Sequence, residues 1–132
     1  MHEFEIDLDF LAVTGVEDKL QNNVQLTIES LKSAGIQVWM LTGDKVETAT
    51  SIAISAGLKH RRHQLHFMRE LVERKDIELS MKDIVAKIEM TVLILDGKTL
   101  DSIMTLGQDL EEQFFEMAIK APCVCVCRCS PT

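Results

Sequence analysis

Apolar runs and helical spacings alternate along this 132-residue chain. Residues 8–14 (LDFLAVT) form an apolar run that stops at Gly15 and predict a strand. From Glu17 onward Leu20, Val24, Ile28 and Leu31 recur at the spacing of one helix face, and Gly35 supplies the stop. Residues 36–41 (IQVWML) are nearly all apolar and predict a buried second strand. That run breaks at Thr42-Gly43-Asp44. Val46, Ala49, Ile52, Ala53 and Ala56 then share a face of a helix over 45–56, with Gly57 as its stop. The middle is less legible: residues 65–68 predict a short strand, and 80–89 a helix with Met81, Ile84, Val85 and Ile88 inward. A strand over 91–95 ends at Asp96-Gly97, which reads as a turn. A helix over 109–120 follows, with Leu110, Phe114, Met117 and Ala118 inward, and then a last strand over 123–127 between Pro122 and Pro131. Strands alternating with helices predict an α/β domain, a mostly parallel sheet with flanking helices.

Composition narrows the class. Hydrophobic residues make up 46% of the chain, enough for one folded domain. The formal net charge of -7 argues against a nucleic-acid partner, which wants a basic face. No apolar stretch reaches the roughly 18–20 residues that span a bilayer, and the first residues carry no charged-then-apolar signal segment.

The chemistry-bearing residues are few. Thr42, Gly43 and Asp44 sit where a strand ends and a helix begins, which is where open α/β sheets place ligands and where helix amides favour anions. The same three residues also suit a turn and helix cap, and local sequence leaves both readings open. Asp18 reads locally as an acid at a helix start, and Arg128 as a surface arginine after the last strand. Cys123, Cys125, Cys127 and Cys129 would share one face of that strand, neighbours roughly 6.5–7 Å apart by the strand rise. Zinc needs four ligands within about 2.3 Å of one ion, so these read as packed free thiols. His60, His63 and His66 lie among Arg61 and Arg62 in HRRHQLH, and read as a solvated basic loop.

Longer motifs add a family resemblance. VTGVEDKLQ (13–21), AGIQVWMLTGDKVETA (34–49), LILDGKTLD (93–101) and CRCSPT (127–132) occur in the order found in P-type ATPases. Their wording resembles the phospholipid flippases rather than the ion pumps, which have D-P-P-R where this chain has D-K-L-Q (18–21). APCVCVCRCSPT resembles the flippase subgroup that works without an accessory subunit. The resemblance implies that residues 1–132 are a partial, Rossmann-like haloacid-dehalogenase-type phosphorylation domain facing the cytosol. The parent would be an integral membrane flippase of a Golgi or endosomal membrane. Its ATP and Mg²⁺ would phosphorylate an aspartate, and hydrolysis of that phosphoenzyme would drive phospholipid between leaflets. In the family Thr42, Gly43, Asp44 and Arg128 contact nucleotide and phosphoryl group, and Asp18 lies near the nucleotide.

The family's D-K-T-G-T motif, with its phosphorylated aspartate, and the later T-G-D-G-x-N-D magnesium motif do not occur in this sequence. The chain is therefore expected to be a fragment without catalytic residues or metal ligands of its own, inactive alone and reliant on the pump's other domains. Two other classes compete. A soluble haloacid-dehalogenase-like phosphatase would need a D-x-D pair after its first strand, whereas Asp7-Leu8-Asp9 precedes it. A non-catalytic nucleotide-binding module would need only the Thr42–Asp44 turn and Arg128.

Overall fold

Four parallel strands form one sheet, β1 (Met40–Leu41), β2 (Gln64–Met68), β3 (Thr91–Asp96) and β4 (Val124–Cys127), in the order β1-β4-β3-β2. The structure is a computed structural model that describes residues 9–15 and 19–129. The helices are α1 (Val24–Ser33), α2 (Val46–Ser55), α3 (Arg74–Ile84), α4 (Gly97–Thr105) and α5 (Gln108–Ala118), with a 3-10 helix over Val85–Met90. This is the parallel α/β sheet with flanking helices that the alternation predicts.

The two inner strands explain the layering. Every residue of β3 and of β4 is buried, as expected for parallel strands covered on both faces. Their alternation splits the core in two. Leu93, Leu95, Val124 and Val126 pack with Ile77, Met81, Ile103, Leu110, Phe114 and Met117 on one side. Val92, Ile94, Cys123, Cys125 and Cys127 pack with Val46, Ala49, Ala53 and Leu58 on the other. Helices α1 and α2 end alike. Gly35 and Gly57 take left-handed φ of 78° and 76°. Around them Ile36 N–H bonds Leu31 O and Gly35 N–H bonds Lys32 O, while Leu58 N–H bonds Ala53 O and Gly57 N–H bonds Ile54 O. These paired bonds satisfy carbonyls that a helix end would otherwise orphan.

Several expectations need correction. Residues 9–14 are not a strand, and Phe10, Leu11 and Val13 are exposed. An apolar run becomes a strand only with a ladder partner, and neither sheet edge, β1 or β2, pairs with it. Helix α1 starts at Val24 rather than near Glu17, after Asn23 in a left-handed conformation. The run over 36–41 yields only the two-residue β1, an edge strand with Leu41 66% exposed, not a buried strand. Only one flank, β4, offers hydrogen bonds there. The helix expected over 80–89 is divided between α3 and the 3-10 helix, which leaves Val85 exposed. His66 belongs to β2 and shares a 2.8 Å hydrogen bond with Ser80. His60 and His63 flank the turn at 61–62, in the basic loop that the sequence predicts. Helix α4 occupies the place of the expected turn at Asp96-Gly97. Asp96 is its N-cap, accepting a hydrogen bond from Thr99 N–H.

Candidate functional site

The strands run parallel, so their carboxyl ends gather on one rim. There β1 delivers Thr42-Gly43-Asp44, β2 delivers Arg69 and Glu70, β3 ends on Asp96, and β4 on Cys127 is followed by Arg128. A cleft of about 320 Å³ opens among Val46, Glu47, Arg69, Glu70, Asp96 and Arg128. Ligands of open α/β sheets bind in this position.

The turn after β1 is organised by its own side chains. Thr42 Oγ1 donates to Asp44 Oδ2 at 2.9 Å and accepts from Asp44 N–H at 3.1 Å. Neither side chain caps α2, whose N-cap is Lys45 and has no side-chain cap bond. The helix-cap reading of this triplet is therefore not what the turn does. The first amides of α2 keep no side-chain acceptor, and Val46 and Glu47 of that turn line the cleft. Nothing stands within 4 Å of where a Gly43 Cβ would be, so a ligand can approach this backbone closely.

Arg128 is joined to the turn through main chain. Arg128 N–H donates to Asp44 O and Cys129 N–H to Thr42 O, both at 3.0 Å, while Thr42 N–H donates to Val126 O at 2.9 Å. The fold thus brings together Thr42, Gly43, Asp44 and Arg128. Asp18 lies outside the described residues.

Charge on the rim is mixed. Arg69 is 3.6 Å from Glu47, with its guanidinium 5.5 Å from the centre of the Phe67 ring. Asp96 is only 6% exposed, and its Oδ1 and Oδ2 accept from Thr99 N–H at 2.8 Å and Glu70 N–H at 2.9 Å. Burial alone would push its carboxyl up. The hydrogen bonds of Thr99 and Glu70 and the charge of Arg128 outweigh burial and hold it below the usual range. Sequence reasoning treated Asp96 as a turn residue. The available signal was its position at the end of a buried strand, level with the other strand ends.

The cysteines part company at Arg128. Cys123, Cys125 and Cys127 share one buried face, but the left-handed φ of 50° at Arg128 turns Cys129 onto the opposite core. The sequence placed all four on one face. Cys123 and Cys125 sulfurs lean to within 3.8 Å of each other, closer than strand rise alone suggests. All four are free, and burial pushes Cys127 up to about 11, so its thiol stays protonated at neutral pH. Among the described residues no group of three His, Cys, Asp or Glu is placed to hold a metal ion.

No protein-family profile matches the chain. Its homologues are phospholipid-transporting ATPases, aligned along 96–100% of its length. It is 40% identical over 132 residues, all of the chain, to a human probable phospholipid-transporting ATPase IIB, and 42% identical over 97% of the chain to the phospholipid-transporting ATPase neo1 of Schizosaccharomyces pombe. It is 40% identical over 96% of the chain to the phospholipid-transporting ATPase NEO1 of Saccharomyces cerevisiae. The chain spans 11% of the human relative's length and 12% of the fission-yeast relative's. Among the described residues no helix is long and apolar enough to cross a membrane.

Proposed function

We propose that residues 1–132 are part of the phosphorylation domain of a P-type phospholipid flippase and carry one wall of its nucleotide site. The observation that supports this most is the stitching of Arg128 to the Thr42–Asp44 turn at the carboxyl rim of the sheet. Segments far apart in sequence bring a hydroxyl, an unobstructed backbone and an arginine residue to one rim. A phosphate needs that set: Arg128 would meet phosphate or ribose oxygens with its fork, the Gly43 amide would add a donor, and the Thr42 hydroxyl would add another by turning its proton from Asp44 to the ligand. Asp44 would face the nucleotide, with Asp18 nearby. Donors of this kind stabilise a transferred phosphoryl group by position and charge.

These residues suit the phosphates of ATP, but not Mg²⁺, since the described part offers no ligand set for a metal. Magnesium would be held by segments of the parent outside this sequence. The chain alone would hydrolyse no ATP. The parent would move phospholipid through its membrane domain at a Golgi or endosomal membrane, working with the pump's other domains and without an accessory subunit. The relatives' names support the phospholipid-transporting class.

The test is an NMR titration of the 132-residue chain with ATP·Mg²⁺. Shifts are expected at Thr42, Gly43, Asp44 and Arg128. Arg128→Ala and Asp44→Ala should each weaken binding by about tenfold, the loss expected for one hydrogen bond involving a charged group. Gly43→Ala should fold normally, given the open space around it, and still weaken binding by crowding the ligand. Shifts mapping elsewhere, or none in a folded sample, would remove these roles from the isolated chain.

A further inference from the structure

We infer that Asp96 and Gly97 are positioning residues for Arg128, a role that neither the sequence motifs nor the relatives assign. This rests on the nucleotide-site reading above. Arg128 has φ of 50°, a region that non-glycine residues enter only when their surroundings hold them there. Two of those constraints are the bonds from the Arg128 and Cys129 amides to Asp44 and Thr42. The third is Gly97. A Cβ at Gly97 would lie 2.9 Å from Arg128 O, 3.5 Å from Arg128 C and 3.6 Å from Cys129 Cα. Only glycine lets the Arg128 peptide rest against the start of α4, and main chain cannot rotate away as a flexible side chain can.

Asp96 holds Gly97 in place from the other side. It stands opposite Cys127 in the ladder, so the residue before Gly97 faces the residue before Arg128. Its two oxygens tie the exit of β2, at Glu70 N–H, to the first turn of α4, at Thr99 N–H. Thr99 Oγ1 accepts from Leu71 N–H at 3.1 Å and closes the same loop. Glu70 also sits at positive φ, 54°. The exits of β2, β3 and β4 are therefore interlocked, and a shift at Gly97 must pass through the Arg128 peptide into the Thr42–Asp44 turn. Asp96 and Gly97 act on the ligand through Arg128 and need not touch it.

The experiment compares wild type, Gly97→Ala, Arg128→Ala and the double variant, all in the 132-residue chain. Without ligand, Gly97→Ala should move the amide resonances of Thr42, Gly43, Asp44 and Arg128 and leave those of Leu93 and Phe114 in place. With ATP·Mg²⁺ it should weaken binding by about tenfold, comparable to Arg128→Ala. Added to Arg128→Ala it should weaken binding no further, because both changes remove the same interaction. If Gly97→Ala does not fold, Asp96→Asn, which adds no bulk and loses one of the two acceptors, is read in the same way. Unmoved rim resonances, or an equal loss of affinity in both backgrounds, would overturn the inference. Failure of the wild type to bind ATP·Mg²⁺ would instead sink the nucleotide reading, while the ligand-free resonances still decide the positioning role.

Discussion

Phe114→Ala is expected to destabilise the chain by about 3–5 kcal/mol, the range for emptying an aromatic site in a packed core. Phe114 is 1% exposed at the centre of α5 and belongs to the cluster that covers Leu93, Leu95, Val124 and Val126. The other members of that cluster come from several elements, β3, β4, α3 and α4 among them, so no single element can move in to close the cavity. A domain of this size is typically stable by about 5–15 kcal/mol, and the variant would keep only part of that. Phe115, next in sequence, is the control. It is 36% exposed and stacked on Trp39 with ring centres 6.4 Å apart, and Phe115→Ala should cost about 1 kcal/mol. Urea unfolding at neutral pH measures both. Equal losses for the two variants would mean that α5 is not seated on the sheet as described.

That contrast was legible before any coordinates, because the spacing of Leu110, Phe114, Met117 and Ala118 puts one phenylalanine inside and leaves its neighbour out. Strand β3 was equally plain, since a wholly apolar run between a helix and Asp-Gly has few other solutions. Residues 36–41 were harder. A run of apolar residues reports hydrophobicity but not whether one or both flanks will hold a partner, so an edge strand looks like a central one. The same ambiguity produced the expected strand over 8–14, of which the described part pairs with nothing in the sheet. Helix α4 was missed because Asp-Gly is a strong turn signal. Asp96, however, is the acceptor of an N-cap with Thr99 three residues on, and α4 continues beyond it.

The candidate site divides along similar lines. Thr42, Gly43, Asp44 and Arg128 were found through motif wording, and the fold gathers them because parallel strands must all end on the same side. Asp96 and Gly97 carry no motif recognised for chemistry. Their importance lies in a main-chain approach between β3's end and a peptide far along the chain, and no local pattern encodes such a contact. The cysteines teach a related point. Their alternation was read correctly as far as Cys127, but a single left-handed residue at Arg128 ends the period and sends Cys129 to the other core. Conformation at one position on the rim thus decides both the seat of the last cysteine and the direction of the site's arginine.

Asp96→Asn is expected to cost about 1.5–3 kcal/mol at neutral pH, the range for a hydrogen bond to a charged group. Asparagine keeps one acceptor oxygen, but its amide group then meets the N–H of either Thr99 or Glu70, donor against donor in a buried place. The cost should also depend on pH. Burial raises the Asp96 carboxyl, the bonds of Thr99 and Glu70 and the charge of Arg128 lower it, and the balance lies below the usual value. The folded state therefore binds the Asp96 proton less readily than the unfolded state, whose carboxyl titrates near about 3.9. The stabilisation from Asp96 is complete above that unfolded value and is lost as pH falls through the lower folded one. Asparagine does not titrate. The stability difference between wild type and Asp96→Asn should thus be constant from pH 7 to about pH 5 and shrink on further acidification. Urea midpoints across that range, with equal denaturant slopes, measure it. A difference that persists unchanged into acid would show that the ionised carboxylate is not what holds the β2 and β3 exits together. The rim would then owe its shape to Gly97 and the Arg128 peptide alone.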